Sequence, residues 1–287
     1  MTAREWLQKA KEERFAIGAF NVGNLETFKA IAQAAANKKS PVIIESSPGE
    51  TKWMGAGNVV DIARNYSEEY GIPILVNLDH SETLEDCIIG IEAGYDLIHC
   101  DASKLEYSEN VAQTKKVAEL AHAKGLTCEG ELDHIGGSSE VHLGAAGEEA
   151  AKIVKTDPER ARKFVEETGI DIFAAFVGNI HGLYQGGEKK LDVDLVKQIA
   201  DATGVFLSLH GSSGIPEDQV KAAIQNGIVK VNLNTEIRQA YKDSLEKVLE
   251  ENPEEYAMYK AEEPLINAIQ LLVEHKIEVF GSVGKVI

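Results

Sequence analysis

Short apolar runs rich in β-branched residues recur along the whole chain, each followed by an amphipathic stretch with helical spacing. The runs are Phe15–Phe20, Val42–Glu45, Ile74–Leu78, Leu97–Cys100, Leu126–Glu131, Ile172–Val177, Val205–Leu209 and Val229–Leu233. Such runs, bounded by polar turns, suit strands buried on both faces of a parallel sheet. Helix start signals lie between them. Asn24 precedes Leu25-Glu26-Thr27, Ser81 precedes Glu82-Thr83-Leu84, and prolines stand at first-turn positions in Asp157-Pro158-Glu159 and Pro216-Glu217-Asp218. A short polar side chain accepts from the free N–H groups of a first turn, and proline has no N–H to lose there. Gly125, Gly169 and Gly227 mark stops.

Eight strand–helix repeats without a break in composition predict a (β/α)8 (TIM) barrel, a single domain over residues 1–287 with a C-terminal helical extension. A doubly wound open sheet is the rival, but no G-x-G-x-x-G follows the first run. Two longer gaps interrupt the alternation. Residues 133–147, rich in Gly and Ser, read as a mobile loop over the barrel mouth. Residues 252–263 lead to a final helix near Pro264–His275, there for packing or a subunit contact.

Composition narrows the function classes. With 44% hydrophobic and 26% charged residues, the 287-residue chain can bury a large core. No stretch approaches the roughly 18 apolar residues that span a bilayer. Residues 1–13 read as a charged amphipathic helix without a secretory signal's apolar core, so a cytoplasmic location is expected. A net charge of −18 and a pI near 4.9 argue against nucleic acid or an anionic membrane as partner. The same field means that a phosphorylated ligand must be held by local N–H groups or a metal. Cys87, Cys100 and Cys128, odd in number and without C-x-x-C, read as buried free thiols.

Chemistry-bearing residues gather where the strand runs end. Asp79-His80 follows the third run and Asp101 the fourth, Glu131 closes the fifth, and His181-Gly182 follows the sixth. His210-Gly211-Ser212-Ser213-Gly214 follows the seventh, and Asn232-Leu233-Asn234-Thr235 closes the eighth. All strand C-termini of a parallel barrel open on one face, where catalytic groups sit. His80, His181 and His210 are therefore expected to meet around one ion, three neutral imidazoles leaving a catalytic metal an open position. His99 inside a strand run, His122 in a helix, His134 and His142 in the loop and His275 near the C-terminus are less well placed. Asp79 suits proton transfer near the ion, or orientation of a histidine. The Gly-Ser loop 211–214 ahead of a helix offers N–H groups and hydroxyls to a phosphate, with Asn232 and Asn234 adding donors alongside. A metal-dependent hydrolase is a competing reading, though such sites usually begin with two histidines after the first strand, where Asn21 stands.

Across nearly its full length the chain resembles the class II fructose-bisphosphate and tagatose-bisphosphate aldolases. The resemblance rests on Gly18-Ala19-Phe20-Asn21-Val22, Leu78-Asp79-His80, Glu129-Gly130-Glu131-Leu132, His181-Gly182, HGSSG at 210–214, NLNT at 232–235 and Glu278-Val279-Phe280-Gly281-Ser282, in order. It implies a carbon–carbon lyase that cleaves a ketose phosphate, with fructose 1,6-bisphosphate foremost, to dihydroxyacetone phosphate and an aldehyde such as glyceraldehyde 3-phosphate. It further implies that His80, His181 and His210 bind a catalytic zinc ion, and that Asp79 removes the C4 hydroxyl proton. Asp101 and Glu131 would stand near an alternative metal position. Gly182, Gly211, Ser213, Asn232 and Thr235 would hold the ketose-phosphate half, some of them with a monovalent cation (Na+ or K+), and Asn232 would lie near the enediolate. Asn21, Ser46, Ser212 and Asn234 complete the substrate-binding candidates. A homodimer or homotetramer follows from the same likeness, and a non-catalytic partner subunit of another aldolase is the alternative.

Several positions depart from the family pattern. Asn77 stands where histidine or glutamine usually precedes Leu-Asp-His. Asp133 replaces a glycine, and Ser138-Ser139 replace loop acids, leaving Glu140, Glu148 and Glu149 as candidates for ketose proton transfer. Gln185 replaces a phosphate-binding lysine. No arginine follows Arg238, so Lys260 is the candidate for the distal phosphate. These changes predict weaker dependence on that phosphate.

Overall fold

The computed structural model describes residues 1–286. Eight parallel strands close into a barrel: Ile17–Asn21, Val42–Ser46, Ile74–Ser81, Leu97–Cys100, Thr127–Glu131, Ile172–Ala174, Phe206–Leu209 and Ile228–Leu233. Each pairs with the strands before and after it. The ring closes where Gly18 of the first strand registers with Val42 of the second and Val231 of the eighth. Helices cover the outside, and their caps follow the expected chemistry. Asn24 accepts from Thr27 N–H, Asp157 accepts from Arg160 N–H, and Gly169 ends its helix in the left-handed region. One cap moved. The third strand runs on through Ser81, so Thr83, not Ser81, caps the following helix Leu84–Ala93.

The barrel interior is layered by the period of two in each strand. At the N-terminal end Ile17, Ile43, Leu75, Leu97, Ile172, Phe206 and Val229 form an apolar floor. The helix Ala3–Glu13 seals it from below with Trp6, Leu7 and Ala10. Two residues further along most strands come Glu45, Asn77, His99 and Ser208, all buried. Two more reach Asp79, Asp101 and His210 at the C-terminal mouth.

Three expected features took another form. The sixth strand stops at Ala174, not Val177. Beyond it Phe176 packs with Ile135, Ala146 and Ile180, and its N–H goes to Thr156 Oγ1 at 3.0 Å instead of a neighbouring strand. The segment 133–147 is more than a loop: Val141–Ala145 pairs in parallel with Leu183–Gly186 as a two-stranded ribbon, and the short helix Ala146–Ala150 follows. The final helix is longer than expected, Glu263–Val279, and its 3.6-residue stripe Leu265, Ile269, Val273 and Ile277 is fully buried on the barrel helices Leu25–Lys38 and Thr235–Glu251. The extension thus completes the outer layer of this chain. Among the described residues no helix is long and apolar enough to cross a membrane.

Candidate active site

The third strand places two adjacent residues on the same side, which a regular strand does not do. Leu78 registers with Ile98 and Ser81 with Cys100, so three steps on one strand oppose two on the other. The extra residue makes a β-bulge, and His80 absorbs it with φ +47, a conformation uncommon for a residue with a side chain. Asp79 and His80 both face a cleft at the mouth. His181, Gly182, His210, Gly211, Ser212, Ser213, Asn232, Asn234, Thr235, Asn21 and Ser139 line the rest of it. Glycine is required where the loops meet: Gly211 has φ +61, and a Cβ there would lie 2.5 Å from the Ile180 carbonyl oxygen.

The three mouth histidines have their protons assigned by their neighbours. His80 Nδ1 donates to Asp101 Oδ2 at 2.7 Å, His210 Nε2 to Glu129 Oε1 at 2.7 Å, and His181 Nδ1 to the Ile135 carbonyl at 3.2 Å. The other nitrogen of each ring is left with its lone pair. His80 Nε2 and His181 Nε2 then face each other at 3.2 Å, and the His80 and His210 ring centres are 4.5 Å apart. Two facing lone pairs need a cation between them, whether proton or metal ion. The carboxylates behind the rings favour positive charge here. Burial opposes protonation of His80, but Asp79, Asp101 and Glu131 outweigh it and push the imidazole up to about 10. Burial and the neighbouring charge of His80 lower His210 to about 4 and hold His181 well below the usual range, so both stay neutral and able to ligate.

Ligand atoms of Asp79, His80, His99 and His210 lie within 4.8 Å of one another, as do those of His80, Asp101 and Glu131. Within the second set Glu131 Oε2 is buried without a hydrogen-bond partner, 3.8 Å from His80 Nδ1 and 3.7 Å from His99 Nε2, itself unpartnered. Burial and Asp101 push the Glu131 carboxyl up to about 7. Orphaned donor-set atoms of this kind fit a cation-binding cluster.

Beneath the mouth lies a charged layer that the sequence reading passed over. Lys230 Nζ donates to Glu45 Oε1 at 2.9 Å and to Glu129 Oε2 at 2.8 Å, and all three side chains are fully buried. Glu45 also accepts from Asn77 Nδ2 at 2.7 Å and Asn232 Nδ2 at 2.9 Å, and Ser208 Oγ donates to Glu129 at 2.6 Å. This layer props the site from below: Glu129 orients His210, and Asn232 reaches Asp79 Oδ1 at 3.3 Å. Asn21 donates to Asp79 Oδ2 at 3.1 Å. Burial opposes ionisation of Asp79, but His80, His99, His210 and Lys230 prevail and hold its carboxyl well below the usual range. His99, set aside from the sequence, stands in the middle of the cluster. The available signal was the period of two, since Asn77, His99, Glu129 and Lys230 each precede a mouth residue by two positions.

Other candidates fall elsewhere. Ser46 does not line the cleft, because its hydroxyl is engaged with Thr51 Oγ1 and Tyr95 OH, both at 2.8 Å, inside the wall. Asp101 and Glu131 stand behind His80 and outside the cleft lining. Ser212 lines it, but its hydroxyl donates to the Asn232 carbonyl. Of the ribbon segment, Ser139 reaches the cleft; Glu140, Glu148 and Glu149 do not. Lys260 pairs with Glu255 at 3.5 Å, away from the cleft. Arg238 is nearer, in a depression that shares Asn21 and Asn234 with the cleft, but Glu50 pairs with it at 2.8 Å.

Comparison with known proteins agrees with this geometry. The family profile described as class-II fructose-bisphosphate aldolase matches residues 1–285. The chain is 40% identical to a fructose-bisphosphate aldolase of Streptococcus pneumoniae, with 99% of each chain covered. It is 36% identical to the D-tagatose-1,6-bisphosphate aldolase subunit GatY of Klebsiella oxytoca, again over 99% of each. Among solved structures, the YdjI aldolase of Escherichia coli K12 superposes with a TM-score of 0.84 at 31% identity, covering 99% of this chain and 98% of that one. With strand-end motifs, barrel and histidine cluster all in agreement, this chain belongs to the class II fructose-bisphosphate aldolase family and is an aldolase, a carbon–carbon lyase.

Proposed function

We propose that this aldolase reversibly cleaves a ketose phosphate, fructose 1,6-bisphosphate foremost, to dihydroxyacetone phosphate and glyceraldehyde 3-phosphate, using zinc held by His80, His181 and His210. The observation that carries the reading is His80 Nε2 and His181 Nε2 facing each other at 3.2 Å, with the His210 ring centre 4.5 Å from that of His80 and 6.2 Å from that of His181, beside the ionised Asp79. When bound, the ion supplies Lewis-acid polarisation of the ketose carbonyl. Asp79, held by Asn21 and Asn232, takes the C4 hydroxyl proton as the C3–C4 bond breaks. Asp101 and Glu129 keep His80 and His210 in their ligating tautomers. The phosphate is received by the backbone of Gly211–Ser213 and by the first turn of the helix Thr235–Glu251, where Asn234 makes no side-chain cap and Ser213 Oγ accepts from the Glu236 N–H at 3.3 Å.

Chelation tests the metal. Exhaustive treatment with a chelator is expected to abolish cleavage, and added Zn2+ or Co2+ to restore it; undiminished turnover of the stripped protein contradicts the reading. The substrate is tested by comparing fructose and tagatose bisphosphates with the corresponding ketose 1-phosphates. Because Lys260 lies away from the cleft and Arg238 is neutralised by Glu50, omission of the distal phosphate is expected to cost no more than about tenfold in kcat/KM, ~1.4 kcal/mol. A strict bisphosphate requirement refutes this.

A further inference from the structure

Lys189 is a buried cation that the carbon–carbon chemistry leaves unused. Only 3% of it is exposed, and its Nζ donates to three backbone carbonyls: Ile180 at 2.6 Å, Gly211 at 2.8 Å and Ser213 at 2.5 Å. Ile180 immediately precedes His181, and Gly211 immediately follows His210, so one ammonium joins the loops that carry two of the three cleft histidines. Gly211 is pressed so close to Ile180 that an added Cβ would meet its carbonyl at 2.5 Å. Carbonyl dipoles converging from two loops repel one another unless a positive charge sits among them. Lys189 provides that charge from a place where burying it is costly, since its acceptors are neutral oxygens. Burial pushes its pKa down to about 7. A neutral amine, however, has two N–H groups for three acceptors, whereas the ammonium has three.

We propose that Lys189 acts as a tethered monovalent cation, a positioning residue whose ammonium fills a carbonyl cage between the His181 and His210 loops and sets the shape of the Gly211–Ser213 phosphate loop. The cage has the chemistry of a K+ or NH4+ site, three backbone oxygens around one unit of charge. The side chain therefore makes a free monovalent ion unnecessary. A Lys189→Ala substitution vacates the cage and makes the protein respond to such an ion.

The test compares the unsubstituted enzyme, Lys189→Ala and Lys189→Arg in tetramethylammonium, potassium and ammonium chlorides at equal ionic strength. The unsubstituted enzyme is expected to show the same kcat, KM and Tm in all three salts. In tetramethylammonium, Lys189→Ala is expected to lose about 10²-fold in kcat/KM, the scale of an ångström of misplacement. Potassium or ammonium should restore most of it with saturation, and should raise the Tm of that variant alone by about 2–4 °C. Lys189→Arg, which keeps the charge in a different shape, is expected to remain insensitive to the salt. Full activity of Lys189→Ala in tetramethylammonium overturns the proposal, as does impairment that neither ion relieves in either measurement. If Lys189→Ala does not fold in tetramethylammonium, its refolding yield in ammonium chloride decides the matter: recovery supports the cage and no recovery overturns it. The catalytic arm rests on the ketose-phosphate reading, but the melting and refolding arms do not. An unsubstituted protein that cleaves no ketose phosphate would sink that reading and leave the cage to be judged by Tm.

Discussion

Asp79→Asn is expected to lower kcat by about 10²–10⁴ while the protein stays folded and keeps its metal, because only the proton acceptor is lost. Asparagine has nearly the same shape, and its amide oxygen can keep one of the two hydrogen bonds that Asp79 accepts, from Asn21 at 3.1 Å or Asn232 at 3.3 Å. The amide NH2 then faces the remaining donor, so a modest stability loss of about 1–3 kcal/mol accompanies the substitution. None of the three ring contacts that fix the histidine tautomers involves Asp79, which is why metal content should hold. Single-turnover cleavage, bound zinc and Tm measured on the same preparation separate these outcomes. Parental turnover by Asp79→Asn would remove this residue from the chemistry and return it to the role of orienting a histidine.

Lys230→Met should be the most damaging change to stability among the residues of the barrel interior, at about 3–5 kcal/mol. The ammonium is fully buried between Glu45 and Glu129, and methionine of similar length leaves two buried carboxyls without their cation. The sign of the pH dependence follows from linkage. In the parent, Glu129 is held well below the usual carboxylate range, with burial opposed by Lys230, His99 and His210, so its contribution is present above the unfolded value near 4.5 and fades as pH falls. Glu45 behaves oppositely: burial, only partly offset by Lys230, pushes it up to about 7. Without Lys230 both carboxyls shift upward. A raised folded-state pKa favours folding below the unfolded value and loses that benefit as pH rises through the folded value. The deficit of Lys230→Met against the parent should therefore narrow between pH 8 and pH 5. Denaturant unfolding at both pH values reads it, and a deficit that is constant or widens toward acid would contradict the buried-triad account. Because Glu129 also orients His210, the variant should lose metal affinity as well as stability.

The barrel was legible in the sequence for a simple reason. Strands buried on both faces must be apolar nearly throughout, so the eight runs stood out with roughly correct positions, and the turns after them had to carry whatever chemistry the mouth holds. The sixth run misled because Ala175, Phe176 and Val177 are as apolar as a strand, yet their neighbours are a side cluster with Ile135 and Ile180. A hydrophobic run reports burial and leaves open which element does the burying. Similarly, Glu45, His99, Glu129 and Lys230 lie along four separate runs, with nothing local to link them. They become one network when closure brings the strands around a common axis.

What the chain determined by itself was therefore local and periodic: roughly which segments become strands, most of the caps that start helices, and that Asp79, His80, His181, His210, Asn232 and their neighbours stand at or just beyond strand ends. What only the tertiary structure decided was orientation. Neighbours such as Asp79 and His80 would point to opposite faces of a regular strand, and the bulge at φ +47 brings them together. His181, beyond the end of its strand, is positioned by carbonyls of Ile135 and Gly136 from another loop. The Lys189 ammonium likewise acquires its role from three carbonyls, two of them more than twenty positions along the chain. Side-chain direction depends on partners remote in sequence, and those partners are set when the barrel closes.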